Sequence, residues 1–532
     1  LAAEGELESA RAHLAQVPAA ALGDDTGRWR QFALVQEAIG EPAAARTTLR
    51  QALAGTAADD VQSWRDLARL ERRDDPSHAL QDLAQAMRLA GLLAAADATA
   101  IDAPALTLAS RAQAGDDWLR RGLRNDVASL YQGQNPSLTL QQDSDRRGDG
   151  TPGRSRLSRD TRMLHGEMPL AGGRGWLRLE QQRFDAGRFR TDGDGSHSED
   201  FGTCSLVVRR PDGSPVALPG CSGGLRQRLD SGVGVAAGWN DAEGRWSFDL
   251  GRTPGGYRVG RWLGGATLAA TLGAFDWSAT VSRRPLDPSL LTEAGAVDPR
   301  SGLAWGGVTA SGVTLSLGYD VGGADGFWSN WSWRRLSGRN VADNQRARAM
   351  AGWYHHLIDR PDLRFDVGAS AMAWHYARDL GDYTLGQGGY YSPQGYLSLG
   401  LPVSVAWRNA NWSVLGEASV SVSVAHSDAG ELYPAHGALD AALRRLEPVY
   451  GELVADPVIR RAGGGRGNGY RLRLEVERRL DGHFVLGAST TLQRSQDFSP
   501  NTFRLYLRYV WQPWQGDLPL PIAPLEPYAE RR

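Results

Sequence analysis

From Leu397 to Trp407 the chain reads Leu-Ser-Leu-Gly-Leu-Pro-Val-Ser-Val-Ala-Trp, large and apolar at every second residue and small or polar between. That period of two predicts a strand with one apolar face. It returns at 411–424, where Trp412, Val414, Ala418, Val420, Val422 and Val424 alternate with Ser413, Glu417, Ser419, Ser421 and Ser423, and again at 470–476 and 503–511. Segments of about ten alternating residues, repeated along most of a chain, predict a membrane β-barrel with apolar residues toward lipid and polar residues toward a lumen.

Strands are predicted near 137–144, 160–170, 174–185, 227–239, 244–252, 260–272, 275–284, 303–320, 326–336, 344–358, 362–376, 394–408, 411–426, 468–479, 483–493 and 501–512. The stretch 303–320 is one strand because Leu303, Trp305, Val313, Leu315, Leu317 and Tyr319 share one parity. The count is then sixteen, the even number expected of a bacterial single-chain barrel. Short connections at 171–174, 240–244 and 360–362 fall on one side, expected to be periplasmic. The long ones at 186–226, 285–302, 377–393 and 427–467 fall outside.

Residues 1–134 follow a different period. Apolar positions three and four apart predict helices, and Trp29 recurs as Trp64, Ala10 as Ala45 and Ala79, Leu14 as Leu49 and Leu83, a spacing of about 34 residues. The set Trp29, Phe32, Ala33, Ala45, Leu49 and Ala52 fits a tetratricopeptide-like helical pair. Only about two and a half repeats are visible where a solenoid needs about three plus caps, so the sequence reads as the C-terminal part of something longer. A further helix near 118–131, ended by Pro136, leads into the barrel. The fold class is therefore an α+β membrane protein: periplasmic helical repeats (1–134), a 16-stranded antiparallel outer-membrane barrel (135–512), and a C-terminal periplasmic tail (513–532).

Composition refines this picture. The 65 glycines and 18 tryptophans suit a barrel with aromatic girdles. A mean hydropathy of −0.40 is no objection, because a barrel hides its lipid face in period two. A net charge of −2 and a pI near 6.6 give no footprint for nucleic acid. All basic side chains are Arg, so single arginines are not read as sites. No signal peptide is legible at Leu1. Cys204 and Cys221, in a polar loop at 187–225, are a candidate disulfide worth about 3 kcal/mol on the chain-entropy model, with two unpaired thiols as the alternative.

Two stretches are too particular for a generic barrel. The segment Tyr383-Thr384-Leu385-Gly386-Gln387-Gly388-Gly389-Tyr390-Tyr391-Ser392-Pro393-Gln394-Gly395-Tyr396 resembles the C-terminal domain of the cellulose synthase operon protein C family of outer-membrane cellulose exporters. The tail Trp514-Gln515-Gly516-Asp517-Leu518-Pro519-Leu520-Pro521, with Pro524-Leu525 and Pro527-Tyr528, is similar to that family's C-terminal extension. Ser282–Pro285, Trp305–Val308 and Trp374–Tyr376 are further similar stretches, and the resemblance spans about 135–528. The cysteine-bearing loop and the terminal Ala529–Arg532 depart from it.

The resemblance implies a channel that takes nascent β-1,4-glucan from an inner-membrane cellulose synthase complex across the periplasm to the cell exterior, with peptidoglycan or periplasmic proteins as candidate partners of the repeats. An uncharged polymer calls for flat apolar faces and hydroxyl partners, held weakly and repeatedly so that it slides. Trp374, Tyr376, Tyr390, Tyr391 and Tyr396 are candidate glucan contacts or gate residues at the extracellular mouth, each equally readable as girdle or loop packing. Arg471, Arg473, Glu475, Glu477, Arg504, Tyr506 and Arg508 are candidate lumen-lining residues, and a structural salt-bridge ladder is favoured for them over a polymer track. Trp514, Asp517 and Tyr528 mark a proline-rich tail that either turns back to the pore or reaches a periplasmic partner. No catalytic set, cofactor motif or metal-ligand spacing is found, so no enzymatic activity is expected. The competing readings are an exporter of another exopolysaccharide such as poly-N-acetylglucosamine or alginate, a barrel-borne surface hydrolase, and a structural anchor.

Overall fold

A computed structural model describes residues 7–18, 21–55, 57–94, 102–190, 201–204, 208–209, 215–216, 221, 224–286, 289–435, 459–460, 462–495, 499–522 and 524–528. Most of the cysteine-bearing loop and the terminal Ala529–Arg532 lie outside the described residues.

Seven helices come first: α1 (Leu7–Leu14), α2 (Thr26–Ala38), α3 (Pro42–Leu53), α4 (Val61–Glu71), α5 (Pro76–Leu89), α6 (Ala103–Ala109) and α7 (Trp118–Gln134). Aspartates start five of them: Asp25, Asp60, Asp75, Asp102 and Asp117 each accept a hydrogen bond from a first-turn N–H, satisfying a donor the helix itself cannot. The repeat is visible in detail. The indole N–H of Trp29 donates to Gly23 O at 3.0 Å, and that of Trp64 donates to Ala58 O at 2.8 Å, each six residues back. Between the paired helices the small residues Ala33, Ala45 and Ala52 let Trp29, Leu49 and Leu53 close the core.

The membrane part is a closed, antiparallel barrel of sixteen strands: β1 (Ser137–Arg147), β2 (Leu157–Leu170), β3 (Gly173–Arg188), β4 (Arg226–Asp241), β5 (Trp246–Arg252), β6 (Trp262–Leu272), β7 (Phe275–Pro285), β8 (Ala304–Asp320), β9 (Asp325–Arg339), β10 (Asn344–Asp359), β11 (Leu363–Tyr376), β12 (Gly395–Arg408), β13 (Trp412–Ser427), β14 (Gly463–Arg479), β15 (Phe484–Arg494) and β16 (Pro500–Val510). The ring closes where β1 pairs with β16, from Ser137 opposite Val510 to Arg147 opposite Pro500. Closure leaves no unpaired strand edge, which a lipid environment demands. The short piece Ala296–Val297 pairs onto β8 outside the ring.

The alternation read from sequence sets the two faces. Leu397, Leu399, Leu401, Val420, Val422 and Val424 are exposed on the outside of β12 and β13, while the serines between them turn inward. Rings pair at the end bearing the short turns, as in Phe275–Tyr319, Phe484–Tyr509 and Tyr509–Trp511, with centroids about 5 Å apart, and form an interfacial girdle there. The two-residue turn Ala171-Gly172 has φ of +50° and +73°, the two left-handed positions of a type I′ hairpin. Strand β14 begins at 463, five residues before the predicted 468, because Gly463-Gly464-Gly465 pairs with β13 through backbone alone and shows no alternation. The barrel is an outer-membrane domain with its helices on the periplasmic side.

The helical arm is hydrogen-bonded to the barrel. The guanidinium of Arg174, at the start of β3, donates to the carbonyls of Gln132, Gly133 and Asn135 at 2.7–3.2 Å, so a barrel cation caps the C-terminus of α7.

Candidate functional site

The lumen is bounded at each end by chain that folds into it. On the outside, the β7–β8 connection carries a helix the alternation could not announce, α8 (Leu290–Ala294), capped by Ser289, whose hydroxyl accepts from Thr292 N, and ended at Gly295 with φ +81°. All five residues are buried, Leu290 and Ala294 pack on Leu157, Phe184 and Leu229, and Glu293 pairs with Arg159 on β2 at 3.0 Å. The 377–394 loop packs onto this helix: Thr292 Oγ1 donates to Gly388 O at 2.9 Å and Ser289 Oγ to Gly389 O at 3.1 Å. An apolar core holds the cap together, with Trp305, Leu336, Leu380, Tyr390 and Tyr433 at its centre and Phe201 from the cysteine-bearing loop inserted against Trp305. Gly306, with φ +98°, bends the start of β8 to place Trp305 there; a Cβ at this position would sit 2.2 Å from Leu291 O. The motif Trp305–Val308 therefore does a structural job. Cys204 and Cys221 are disulfide-bonded beside Phe201, Cα atoms 5.5 Å apart.

The cap corrects two of the aromatic candidates. Tyr376 and Tyr390 are only 4% and 2% exposed, their rings 6.0 Å apart, and the Tyr390 hydroxyl accepts from Asn344 Nδ2. Both are packing residues of the cap: Tyr376 ends β11, and Tyr390 is folded in against it by the turn at Gly388-Gly389. Trp374 and Tyr396 are different. They face each other across β11 and β12 on the lumen side, rings 4.4 Å apart, with Tyr391, 58% exposed, edge-on to both. Below this platform the inner faces of β11 to β13 present Ser370, Ser398, Ser404, Ser419, Ser421 and Ser423.

A second inner sector is ionic. Glu477 accepts from Tyr506 Oη at 2.7 Å and from Arg508 at 3.0 Å; Arg473 bridges Glu475 and Glu417; Arg504 lies 3.4 Å from Asp143. Charges on neighbouring strands thus neutralise one another along the wall. Arg471 shares their face but stands exposed beyond Arg473.

The tail closes the other end. Asn135 and Gln512 exchange two hydrogen bonds, and Trp514 packs on Tyr131 at 5.8 Å and donates its indole N–H to Asp517 O. Asp517 accepts from Ala112 N and pairs with Arg408 at 3.2 Å, and Ser413 donates to Pro519 O. From that rim the chain crosses the lumen: Gln141 holds Leu525 O, Glu180 accepts from Tyr528 N at 2.7 Å, and Arg284 lies over the Tyr528 ring at 5.1 Å. Strand β13, where the tail enters, and β5, where it ends, are eight strands apart in a ring of sixteen, so the crossing is diametric. Of the tail expected in the periplasm (513–532), residues 513–518 lie at the rim bearing the short turns, whereas 521–522 and 524–528 lie against the inner wall. A cavity of about 540 Å³ remains between Pro521, Ile522, Pro524, Leu525 and Glu526 and the wall residues His165, Arg178, Glu417 and Arg473. No sequence signal fixed this direction, since the contacts that hold 525–528 in the lumen are made with residues more than 200 positions away along the chain.

Residues 155–512 match the family model for the C-terminus of cellulose synthase operon protein C. The chain belongs to that family. It is 38% identical over 458 residues to the cellulose synthase operon protein C of Salmonella typhimurium, covering 86% of this chain and 36% of the relative. It is also 38% identical over 459 residues to that of Escherichia coli, covering 86% and 37%. The chain thus spans about a third of the length of these curated relatives. Among solved structures it is similar to a bacterial polysaccharide outer membrane secretin, at a TM-score of 0.42 and 11% identity, over 71% of this chain and 98% of that one.

Proposed function

We propose that this chain is the outer-membrane conduit of a cellulose-exporting system. It receives β-1,4-glucan in the periplasm from an inner-membrane synthase complex and passes it outward. The repeats act as the scaffold that aligns the two membranes, with periplasmic protein or peptidoglycan as their partners. The observation that carries this reading is the Trp374–Tyr396 platform above a serine-rich inner wall. Flat rings match the faces of glucose units, and hydroxyls exchange hydrogen bonds along a sliding, uncharged chain. The paired charges opposite supply no net field that would favour an anionic or cationic polymer. Family membership supports the same substrate. The cap and the tail act as gates at the two ends, with Tyr391 reaching the polymer as it leaves.

The test is complementation of a strain lacking its own copy, using the full-length protein intact, without residues 377–393, or without residues 513–532. Extracellular polymer is read by dye binding and by digestion with β-1,4-glucanase or β-hexosaminidase. Glucanase-sensitive material restored by the intact protein, and altered by both deletions in barrels that still insert, supports the reading. Material sensitive only to hexosaminidase assigns the barrel to poly-N-acetylglucosamine.

A further inference from the structure

The outer wall of the barrel is not uniformly greasy. Strand pairing aligns its lipid-facing residues in rows. The lowest row, Phe275–Tyr319–Phe327–Trp353, belongs to the periplasmic girdle. Eight residues higher, the row Arg283–Ser311–Arg335 crosses β7, β8 and β9 on the same face. At about 3.3 Å per residue and a tilt near 40° the rows are about 20 Å apart, close to the apolar band of about 25 Å in an outer-membrane barrel. The arginines therefore sit at the headgroup level of the outer leaflet.

Between those levels a furrow runs down the wall. Its floor is six alanines, Ala347, Ala349 and Ala351 on β10 opposite His375, Ala373 and Ala371, with Ala369 opposite Trp353 below. One bank is Trp331 and Trp333, paired with Ala349 and Ala347; the other is Leu397 and Leu399, paired with Ala373 and Ala371. The bank strands, three strand spacings apart, are separated by about 14 Å. A cavity of about 630 Å³ straddles the tryptophan bank, lined by Ala347, Ala349 and Ala373 on the furrow side and by Ala279, Val313 and Leu315 below the arginines.

Cations crowd the wall beside its top, on β7 to β9, across the Trp331–Trp333 bank. Arg339 lies on β9 beyond Arg335, and Arg261 is close enough that Arg283 and Arg339 add to burial in holding its guanidinium below the usual range. Among the described residues, the acid paired with this group is Asp343, 2.6 Å from Arg335 on an exposed rim. Arg283 donates to Thr309 Oγ1 at 3.3 Å, and Arg261 to Gly307 O at 3.1 Å. Several guanidiniums at headgroup height complement a ligand with more than one phosphate. The shallow furrow beside and below them suits saturated acyl chains.

We infer that this furrow and its arginine crown form a binding site for the phosphorylated, acylated glycolipid of the outer leaflet, lipid A. Tight lipid packing on this flank then anchors the wall that carries Trp374 and the cap on its inner side.

The test is native mass spectrometry of the full chain in detergent, titrated with lipid A, its dephosphorylated form or phosphatidylglycerol. The variants are the pairs Arg283→Ser with Arg335→Ser, and Ala349→Leu with Ala371→Leu. Folding is read by heat-modifiable gel mobility, and a milder Ala→Val pair at the furrow positions serves if the leucines prevent insertion. Lipid A should be retained in preference to the other two lipids, about tenfold more weakly by either pair of variants. Equal retention of lipid A and phosphatidylglycerol, or undiminished retention by either folded pair, overturns the assignment.

Discussion

The hydroxyl of Tyr528 lies 2.5 Å from Oδ1 of Asp249, a contact between the end of the described chain and the inner face of a strand across the barrel from where the tail enters. Arg284 pairs with Asp249 at 2.7 Å and stacks on the same ring, so the last turn of the tail is held by a buried ionic clasp.

Removing that clasp should open the periplasmic side. Tyr528→Phe forfeits a hydrogen bond to a carboxylate, about 1.5–3 kcal/mol of tail seating, and a chain ending at residue 518 removes the crossing segment altogether. In planar bilayers the truncated chain should show larger and steadier conductance than the intact one, with Tyr528→Phe intermediate. Identical conductance in all three would mean that the tail does not restrict the lumen.

The Trp374–Tyr396 platform should matter to export without mattering to folding. Trp374→Ala and Tyr396→Ala each remove a ring from the polymer path and should lower extracellular glucan several-fold, while heat-modifiable mobility of the barrel stays unchanged. Tyr390→Phe, which removes a hydroxyl bonded inside the cap, should act on the cap and leave binding of short cello-oligosaccharides unaltered.

The ionic wall is a matter of stability. Glu477 is buried against Arg508 and Tyr506, and Glu477→Ala leaves a cation and a hydroxyl without their acceptor, at about 3–5 kcal/mol. Urea titration of the barrel folded into vesicles should show a correspondingly lower midpoint.

In the helical arm, burial and then the neighbouring Glu71 push the Asp82 carboxyl up to about 7. A folded value above the unfolded one means that folding favours the protonated form. Stability is then greatest below about pH 4, declines as pH rises from about 4 to 7, and stays low above that. Thermal melts followed at the helical signal should show a higher midpoint at pH 5 than at pH 8, and Asp82→Asn should remove most of the difference.

What the sequence made legible follows from where each contact partner lies. The sixteen strands announce themselves because a lipid face imposes alternation on every one of them, and Leu397–Trp407 shows it without interruption. The repeats do so through Trp29 and Trp64, which make the same hydrogen bond one period apart. The cap was opaque. Tyr390 in an isolated loop reads as available, and only the fold of α8 and Trp305 against it decides otherwise. Ser289 and Gly295, a helix start and stop six residues apart, were the one local hint of α8. The tail gave none, since prolines fix its extension and not its direction.

The central claim is that β-1,4-glucan passes through this lumen, and single-channel recording tests it most directly. With the chain ending at residue 518 in a planar bilayer, linear cello-oligosaccharides added to the periplasmic side should produce transient current blockades. Their dwell times should lengthen with oligomer length and shorten in Trp374→Ala, and α-linked maltodextrins of equal size should block more briefly. Conductance unaffected by cello-oligosaccharides, or blocked no longer by them than by maltodextrins, would contradict the account.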